Sequence, residues 1–221
     1  MTDFAELRER MVERQIAARG IRGPALLAAL RQVPRELFVS ADYGRQAYGD
    51  HPLPIEAGQT ISQPYIVALM IDAAGIGPGD RVLEVGAGSG YAAAVIGRIA
   101  GTVIAIERKP ELVAVARERM ARLGYSNVTI VEGDGTRGWP DGAPYDAILA
   151  AASGSHVPQP LIDQLAPGGR LVMPVGSRAW SQQLVKLTKH PDGEIERENL
   201  GEVRFVPLIG EEGWSDAGHP G

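Results

Sequence analysis

The sequence predicts a single α/β domain over residues 1–221, built on a mostly parallel, doubly wound sheet. Between residues 76 and 180, short apolar segments typical of buried strands alternate with segments of helical periodicity. This alternation implies a parallel sheet that is covered by helices on both faces. The length suits one domain with a substantial core, and no repeat, low-complexity segment or linker divides the chain.

The first 75 residues predict an amino-terminal cap of helices and a long ordered loop. Apolar side chains recur near one helical face from Phe4 to Ile16, and Gly20 follows as a stop. In chain order, the predicted elements are helices at 3–19, at 23–30 and from Pro34, an ordered loop at 43–60, and a helix at 64–74 that Gly75 ends.

The central part, residues 76–180, carries the predicted parallel sheet. Its strands are "RVLEV" (81–85), "TVIAI" (102–106), "VTIVE" (128–132), "YDAILA" (145–150) and "GRLVMPV" (169–175). Its helices are "YAAAVIGRIA" (91–100), "PELVAVARERMARLG" (110–124), with Pro110 in the first turn, and "QPLIDQLAPGG" (159–169).

The remaining residues, 181–214, predict antiparallel strands. "SQQLVKLTK" (181–189) and "EVRFVPL" (202–208) alternate as strands of such a pair would, and "HPDGE" (190–194) is the predicted turn between them. Residues 215–221 predict a disordered tail.

Composition excludes several classes of function. The net charge of −5 and the pI of about 5.4 argue against a nucleic-acid partner and favour a monomer. The absence of cysteine removes disulfides and thiolate chemistry, and the four histidines lack metal-ligand spacing. The amino terminus lacks an apolar signal core, and no apolar run approaches the roughly 20 residues that span a bilayer. We therefore expect a soluble, cytoplasmic protein without a metal site or a membrane partner.

The sharpest chemical signal is the segment "EVGAGSGY", which begins at Glu84 and follows the first core strand. Gly86, Gly88 and Gly90 permit a tight turn and a close approach to a ligand, and the helix beyond offers free N–H groups. A dinucleotide fingerprint would need glycine in place of Tyr91. The observed spacing instead suits a ligand without a pyrophosphate, whose cationic amino-acid part would meet Glu84. The alternative is an ordinary glycine-rich turn.

Two further acids follow the next strands. Glu107 ends the second core strand, where its carboxylate would accept both hydroxyls of a ribose; the alternative is an exposed acid ahead of Pro110. Asp134, in "GDGTRGW", would receive an adenine amino group; the alternative is an Asp-Gly turn. The three acids lie at the carboxyl ends of successive strands, where open α/β sheets bind ligands.

A glycine loop, an acidic residue placed for the ribose (Glu107) and an acidic residue placed for the adenine (Asp134), in this order, resemble the class I S-adenosylmethionine-dependent methyltransferases. An NAD-binding protein would share Glu107 but not the glycine spacing. The resemblance implies a Rossmann-like methyltransferase sheet with S-adenosylmethionine as cofactor and S-adenosylhomocysteine as product.

The flanking regions resemble one family, the protein-L-isoaspartate O-methyltransferases, from about residue 11 to 214. "PLPIEAGQTISQP" is the most diagnostic segment, because small-molecule methyltransferases have no counterpart of it. The other similar segments are "MVERQIAARGI", "ALRQVPRELFV", "VLEVGAGSGY", "GDGTRGWPDGAPYDAILAAA", "QLAPGGRLVMPVG" and "VRFVPLIGEEGW". The resemblance implies methylation of the α-carboxylate of L-isoaspartyl residues in peptides and proteins. The ester re-forms a succinimide, and repeated cycles restore aspartate.

Family resemblance also makes Ser62 the active-site hydroxyl, inside a loop that surrounds cofactor and substrate. Because a carboxylate is ionised at pH 7, the reaction needs no general base, and catalysis should be mainly positioning. Ser62 has an alternative role as the cap of the helix that follows, and Thr60 has one as a hydroxyl that bonds its own backbone. The implied cofactor contacts are Gln59, Thr60, Ile61, Glu84, Gly86, Gly88, Gly90, Glu107, Arg108, Asp134 and Gly135.

The segment "VRFVPL" resembles the family's strand near the bound peptide, and it adds Val206 and Leu208 to Ser62 as substrate contacts. Its alternative is a half-buried strand, which we prefer for Val203 and Phe205. The sequence departs from the family at 150–156, where "SGSH" (153–156) predicts a more flexible wall beside the cofactor. Two rival functions remain: an aspartyl carboxyl methyltransferase of a peptide natural-product pathway, and a non-catalytic S-adenosylmethionine-binding protein.

Overall fold

The alternating segments form one seven-stranded sheet, accompanied by a two-stranded ribbon. The computed structural model describes residues 3–178 and 180–216. Its strands are β1 Leu53–Pro54, β2 Thr60–Ile61, β3 Arg81–Val85, β4 Thr102–Glu107, β5 Val128–Glu132, β6 Tyr145–Ala150, β7 Leu165–Gly176, β8 Gln182–Lys189 and β9 Ile195–Val203. Strands β1 and β2 form the ribbon, and the large sheet has the order β5-β4-β3-β6-β7-β8-β9.

The topology confirms the predicted fold class. Strands β3 to β7 are parallel, whereas β8 and β9 pair antiparallel to them at one edge. The chain runs outward from β3 in one direction through β4 and β5, then returns to the other side of β3 with β6. A crevice therefore opens at the carboxyl end of β3, which is the place where doubly wound sheets bind ligands.

Helices cover the sheet and build the predicted amino-terminal cap. The α-helices are α1 Phe4–Arg10, α2 Pro24–Gln32, α3 Pro64–Ala74, α4 Tyr91–Gly97, α5 Pro110–Arg122 and α6 Gln159–Asp163. The first helix continues as a π-helical segment and a short 3₁₀ turn, and Gly20 ends it in the left-handed conformation. Gly75 ends α3 in the same way.

Two elements differ from the prediction. Helix α6 stops at Asp163, and residues 165–169 join β7, because Leu165 pairs with Tyr145 across a register shift. The predicted strand 202–208 is also wrong. Strand β9 instead spans Ile195–Val203, and the backbone N–H of Phe205 then donates to the side chain of Gln182 rather than continuing the ladder. The chain leaves the sheet there and crosses toward the carboxyl end of β6.

Hydrophobic clusters lie on both faces of the sheet. One packs the amino-terminal cap, α3, α4 and α5 against it, and the other surrounds α6. Across residues 3–178 and 180–216, no helix combines the length and apolarity that crossing a bilayer requires. Of the predicted tail, Ser215 and Asp216 contact the domain, and residues 217–221 lie outside the described residues.

Candidate active site

A cavity of about 310 Å³ lies at the carboxyl edge of the sheet, over the end of β3. Its walls come from the loops after β3, β4 and β6, from helix α3, and from the extended segment after β9. It brings together most of the residues predicted from the sequence. These are Gln59, Thr60, Ile61, Ser62, Glu84, Gly86, Gly88, Glu107, Arg108, Gly135, Val206 and Leu208.

The glycine loop, residues 86–90, wraps tightly around the end of β4. The backbone N–H groups of Gly86 and Ala87 both donate to the carbonyl of Ile106 at 2.9 Å. Gly86 and Gly88 have φ values of 89° and 53°, which a residue with a side chain rarely adopts. The loop therefore has the conformation that its glycines predict, and its backbone forms part of the cavity wall.

Gly90 has a different place from the one expected. It does not line the cavity; it is the N-cap residue of α4, with φ 86°. A Cβ atom there would lie 3.1 Å from Met120 Cε and 3.4 Å from Ala116 Cβ. The structure thus explains Gly90 by close packing of α4 on α5, and cofactor contact by this residue stays a prediction.

Glu84 presents a buried carboxyl group at the floor of the cavity. Its exposed fraction is 2%, and its Oε2 atom has no hydrogen-bond partner. Burial, reinforced by the nearby charge of Glu107, raises the pKa of Glu84 to about 8. A buried carboxyl with one oxygen left without a partner fits a cationic group of a ligand, which would supply the missing charge and hydrogen bond.

Glu107 lies across the glycine loop from Glu84. Its Oε2 accepts a hydrogen bond from Gly88 N at 2.9 Å, and its Oε1 accepts one from Lys109 N at 3.0 Å. The expectation of an exposed helix-start acid is wrong, because the side chain is buried. Neighbouring Arg108 points to the rim and pairs with Asp216 at 2.8 Å.

Asp134 ties the carboxyl-terminal segment to the site instead of lining the cavity. Its Oδ1 accepts hydrogen bonds from the backbone and hydroxyl of Thr136, and its Oδ2 accepts one from Glu211 N at 2.8 Å. Burial alone would raise the pKa of Asp134, but these hydrogen bonds outweigh it and lower the pKa. Adenine binding by Asp134 stays a prediction, whereas Gly135 does reach the cavity.

The acceptor loop, which we define as residues 56–63, forms the opposite wall. Its strand β2 pairs with β1 through Leu53 and Ile61, and Ala57 has φ 55°, an unusual value for alanine. Ser62 and Thr60 line both the cavity and a second groove of about 660 Å³ on the outer side. The acceptor loop therefore lies between the cavity and the groove, which meet at Thr60 and Ser62.

The structure contradicts the capping role of Ser62. The N-cap residue of α3 is Gln63, and it makes no side-chain cap bond. The carboxylate of Asp50 takes this role instead, since it accepts hydrogen bonds from Tyr65 N at 3.3 Å and from Gln63 Nε2 at 2.8 Å. The hydroxyl of Ser62 is consequently not needed to start the helix.

The extended segment after β9 completes the wall. Ser153 N donates to Val206 O, and Leu208 N donates to Ser153 O, both at 2.8 Å. Trp214 Nε1 donates to the same carbonyl at 2.9 Å. The 150–156 segment is thus fixed by backbone pairing, contrary to the flexible wall expected from its sequence. Val206 and Leu208 line the cavity, and substrate contact by them stays a prediction.

Several residues of the site were not predicted. Tyr91, Met70 and Ala151 line the cavity, and Asp216 and Arg178 close its rim. Tyr91 follows the glycine loop directly, so its position next to the ligand-binding turn was the available signal. The rim residues gave none, because their partners are distant in sequence. Among the described residues, no cluster of three His, Asp or Glu side chains could hold a metal ion.

Comparison with known proteins agrees with this geometry. Residues 6–213 match the family model for protein-L-isoaspartate(D-aspartate) O-methyltransferase. A protein-L-isoaspartate O-methyltransferase of Rhodopseudomonas palustris strain HaA2 is 59% identical over 97% of this chain and 87% of its own length. Another, from Pelobacter propionicus, is 56% identical over 94% of this chain and 92% of its own length.

Solved structures give the same result. A protein-L-isoaspartate O-methyltransferase superposes with a TM-score of 0.86 and 31% identity, covering 93% of this chain and 67% of the other. An enzyme of the same kind from Plasmodium falciparum, in complex with S-adenosyl-L-homocysteine, has a TM-score of 0.79 and 28% identity over 91% of this chain and 98% of its own. The chain therefore belongs to the protein-L-isoaspartate(D-aspartate) O-methyltransferase family.

Proposed function

We propose that this protein transfers a methyl group from S-adenosylmethionine to the α-carboxylate of L-isoaspartyl residues, which begins their repair to aspartate. The observation that carries the proposal is the position of Ser62. This residue lines both the cavity over the glycine loop and the outer groove, so it lies where the space proposed for the methyl donor meets the space proposed for the acceptor.

The cavity fits the donor. The unpartnered Oε2 atom of Glu84 suits the ammonium group of the amino-acid part, and the glycine loop lets this part approach the backbone closely. Glu107 would accept the ribose hydroxyls, Gly135 would lie beside the adenine, and Gln59, Thr60 and Ile61 would cover the ligand from the acceptor loop. When bound, S-adenosylmethionine supplies an electrophilic methyl group on its sulfonium.

The outer groove fits an extended peptide. It runs along residues 202–206 to the acceptor loop and reaches Ser62 and Val206. Polar backbone in this position gives affinity without selecting side chains, which suits damage in any sequence context. Exposed Val206 would contact the residues that flank the isoaspartate, whereas Leu208 is buried and would contact the isoaspartyl residue from the cavity wall.

The residues of the chain position the acceptor rather than activate it. The acceptor carboxylate is ionised at pH 7 and attacks without losing a proton. Ser62 would donate a hydrogen bond to one carboxylate oxygen and leave the other in line with the methyl group. Arg108 and Asp216 pair at the exposed rim of the cavity.

We also infer that the protein works in the cytoplasm as a monomer without a nucleic-acid partner, which its net charge of −5 supports. The activity is tested with labelled S-adenosylmethionine and matched peptides that contain isoaspartate or aspartate at one position. Base-labile label on the isoaspartyl peptide alone is the expected result. Label on a specific aspartyl peptide would favour the natural-product reaction, and label on neither would favour a cofactor-binding protein without catalysis.

The role of Ser62 is tested by Ser62→Ala. We expect kcat to fall by at least tenfold while the affinity for S-adenosylhomocysteine stays within about twofold, because the hydroxyl aims the acceptor and not the cofactor. The melting temperature should not change, since Asp50 caps α3. Unchanged turnover would remove Ser62 from the mechanism.

A further inference from the structure

Two buried arginines reach the acceptor loop, one at each end. Arg35, with no exposed surface, donates from Nη2 to the carbonyl of Ser62 at 2.7 Å. Arg119, 7% exposed, donates from Nη2 to Glu56 Oε1 at 2.9 Å. Neither arginine lies in the acceptor loop itself, so the loop is held from the interior of the domain.

The same arginines also contact the glycine loop and the helix that follows it. Arg119 Nη1 donates to the carbonyl of Ser89 at 3.3 Å. The guanidinium of Arg35 lies 4.7 Å from the ring centroid of Tyr91, the first residue of α4. Each arginine thus joins the acceptor loop to the cofactor side of the cavity.

Two aromatic rings connect the arginines into one unit. Phe38 and Tyr91 meet edge to face with centroids 5.5 Å apart, and Arg119 lies 6.0 Å from the centroid of Phe38. Cation–π contacts of this kind strengthen when they are removed from water. The side chains form a continuous series of contacts in the order Arg119–Phe38–Tyr91–Arg35. We name these four residues the arginine clamp.

Stability alone does not explain the clamp. Removing a guanidinium from water is costly, and well-packed apolar side chains can replace buried charges without loss of stability. Burial lowers the pKa of Arg35, and its Nη1 atom has no hydrogen-bond partner. The remaining donors go to Ala47 O and to the carbonyl of Ser62, the residue whose hydroxyl has to be aimed.

We propose that Arg35 and Arg119 are positioning residues that hold the acceptor loop against the glycine loop during methyl transfer. Arg35 fixes the backbone from which the Ser62 hydroxyl projects, and Arg119 fixes the opposite end of the acceptor loop through Glu56. Transfer requires reacting atoms in line at about 3 Å, and a displacement of about 1 Å can lower the rate by about 100-fold. This role rests on the proposed function, in which Ser62 orients the acceptor.

The experiment compares Arg35→Lys and Glu56→Gln with Arg170→Lys as the matched control. Glu56 is partly exposed, and Glu56→Gln removes the charge that pairs with Arg119 while keeping the size of the side chain. Arg170 also donates to backbone carbonyls, those of Ala74 and Gly75, and pairs with Asp80, but these contacts lie at the opposite edge of the sheet. The three variants are measured for kcat and KM with an isoaspartyl peptide, for S-adenosylhomocysteine affinity and for melting temperature.

We expect Arg35→Lys to lower kcat at least tenfold and Glu56→Gln to lower it at least threefold. The affinity of Arg35→Lys for S-adenosylhomocysteine should stay within about twofold of the wild-type value. Arg170→Lys should lower the melting temperature and leave kcat unchanged. Equal kcat in the wild type and Glu56→Gln, or a loss in Arg170→Lys as large as in Arg35→Lys, would overturn the proposal. If Arg35→Lys does not fold, Glu56→Gln decides the question.

Hydrogen exchange separates this proposal from the proposed function, because it needs no turnover. With S-adenosylhomocysteine bound, amides of residues 56–62 should exchange at least fivefold faster in Glu56→Gln than in the wild type, and at wild-type rates in Arg170→Lys. Unchanged exchange in Glu56→Gln contradicts the clamp even in a protein that methylates isoaspartyl peptides. If these amides exchange faster in Glu56→Gln but the protein does not methylate isoaspartyl peptides, the clamp is supported and only the proposed acceptor is wrong.

Discussion

The buried carboxyl of Glu84 makes a prediction that links stability, pH and cofactor binding. Burial and the neighbouring charge of Glu107 raise the pKa of Glu84 from 4.5 to about 8. Below pH 4.5 the group is protonated in both the folded and the unfolded chain and has no effect on the equilibrium. Between pH 4.5 and 8 the unfolded chain releases the proton and the folded chain keeps it, so the free energy of unfolding decreases as pH rises.

The magnitude follows from the interval between the two pKa values. At pH 7 the unfolded carboxyl lies two and a half pH units above its ordinary pKa, which corresponds to a loss of about 3 kcal/mol in the free energy of unfolding. For a chain of 221 residues this shifts the melting temperature by roughly 6–12 °C. Glu84→Gln cannot ionise and therefore should not lose stability in this way.

The assay is the melting temperature of wild type, Glu84→Gln and the exposed control Glu118→Gln between pH 4.5 and 8.5, without ligand. The difference between Glu84→Gln and the wild type should grow in favour of the variant as pH rises, whereas Glu118→Gln should stay parallel to the wild type. Parallel profiles for Glu84→Gln would refute the raised pKa.

Ligand binding supplies a second measurement on the same group. At pH 7 a carboxyl with a pKa of about 8 is roughly nine-tenths protonated. Pairing with the ammonium group of S-adenosylhomocysteine should ionise it and release about 0.9 proton, which calorimetry in buffers of different ionisation enthalpy detects. Glu84→Gln should release none from this site and should bind at least tenfold more weakly. Binding of equal strength with no proton release in the wild type would show that Glu84 does not meet the ammonium group.

The remaining predictions concern residues on either side of the site. Glu107→Gln should weaken S-adenosylhomocysteine binding at least tenfold in calorimetry. An amide has one acceptor oxygen, so it cannot accept hydrogen bonds from both Gly88 N and Lys109 N as the carboxylate does. Unchanged affinity would exclude a role of Glu107 in binding the ribose. Asp50→Ala should lower the free energy of unfolding in urea by about 1–2 kcal/mol with cofactor affinity unchanged, since it removes the hydrogen bond to Tyr65 N at the start of α3. If Ser62→Ala costs this stability and Asp50→Ala does not, Ser62 is the true cap.

The sequence predicted the parallel sheet and the glycine turn after β3 because both depend on local patterns. Buried parallel strands appear as continuous apolar runs, and the turn after β3 needs glycines at fixed offsets. The two errors in the fold come from long-range pairing. Leu165 joins the sheet because Tyr145 lies beside it. Pairing of β9 with β8 ends at Val203 because the next hydrogen bonds of the chain go to the Gln182 side chain and to Ser153. No window of sequence contains both members of such a pair.

The acceptor side shows the same limit with a functional consequence. Local pattern made Ser62 equally suited to capping and to catalysis, and the choice depended on Asp50, which lies 15 residues before the backbone N–H of Tyr65 that it caps. Arg35 lies 27 residues before the carbonyl that it holds. A buried arginine has no signature in hydropathy, because the same residue type usually lies on the surface. Asp50 caps the helix after Ser62 and Arg35 holds the Ser62 carbonyl, so the hydroxyl that we propose orients the acceptor is supported by side chains from separate parts of the sequence.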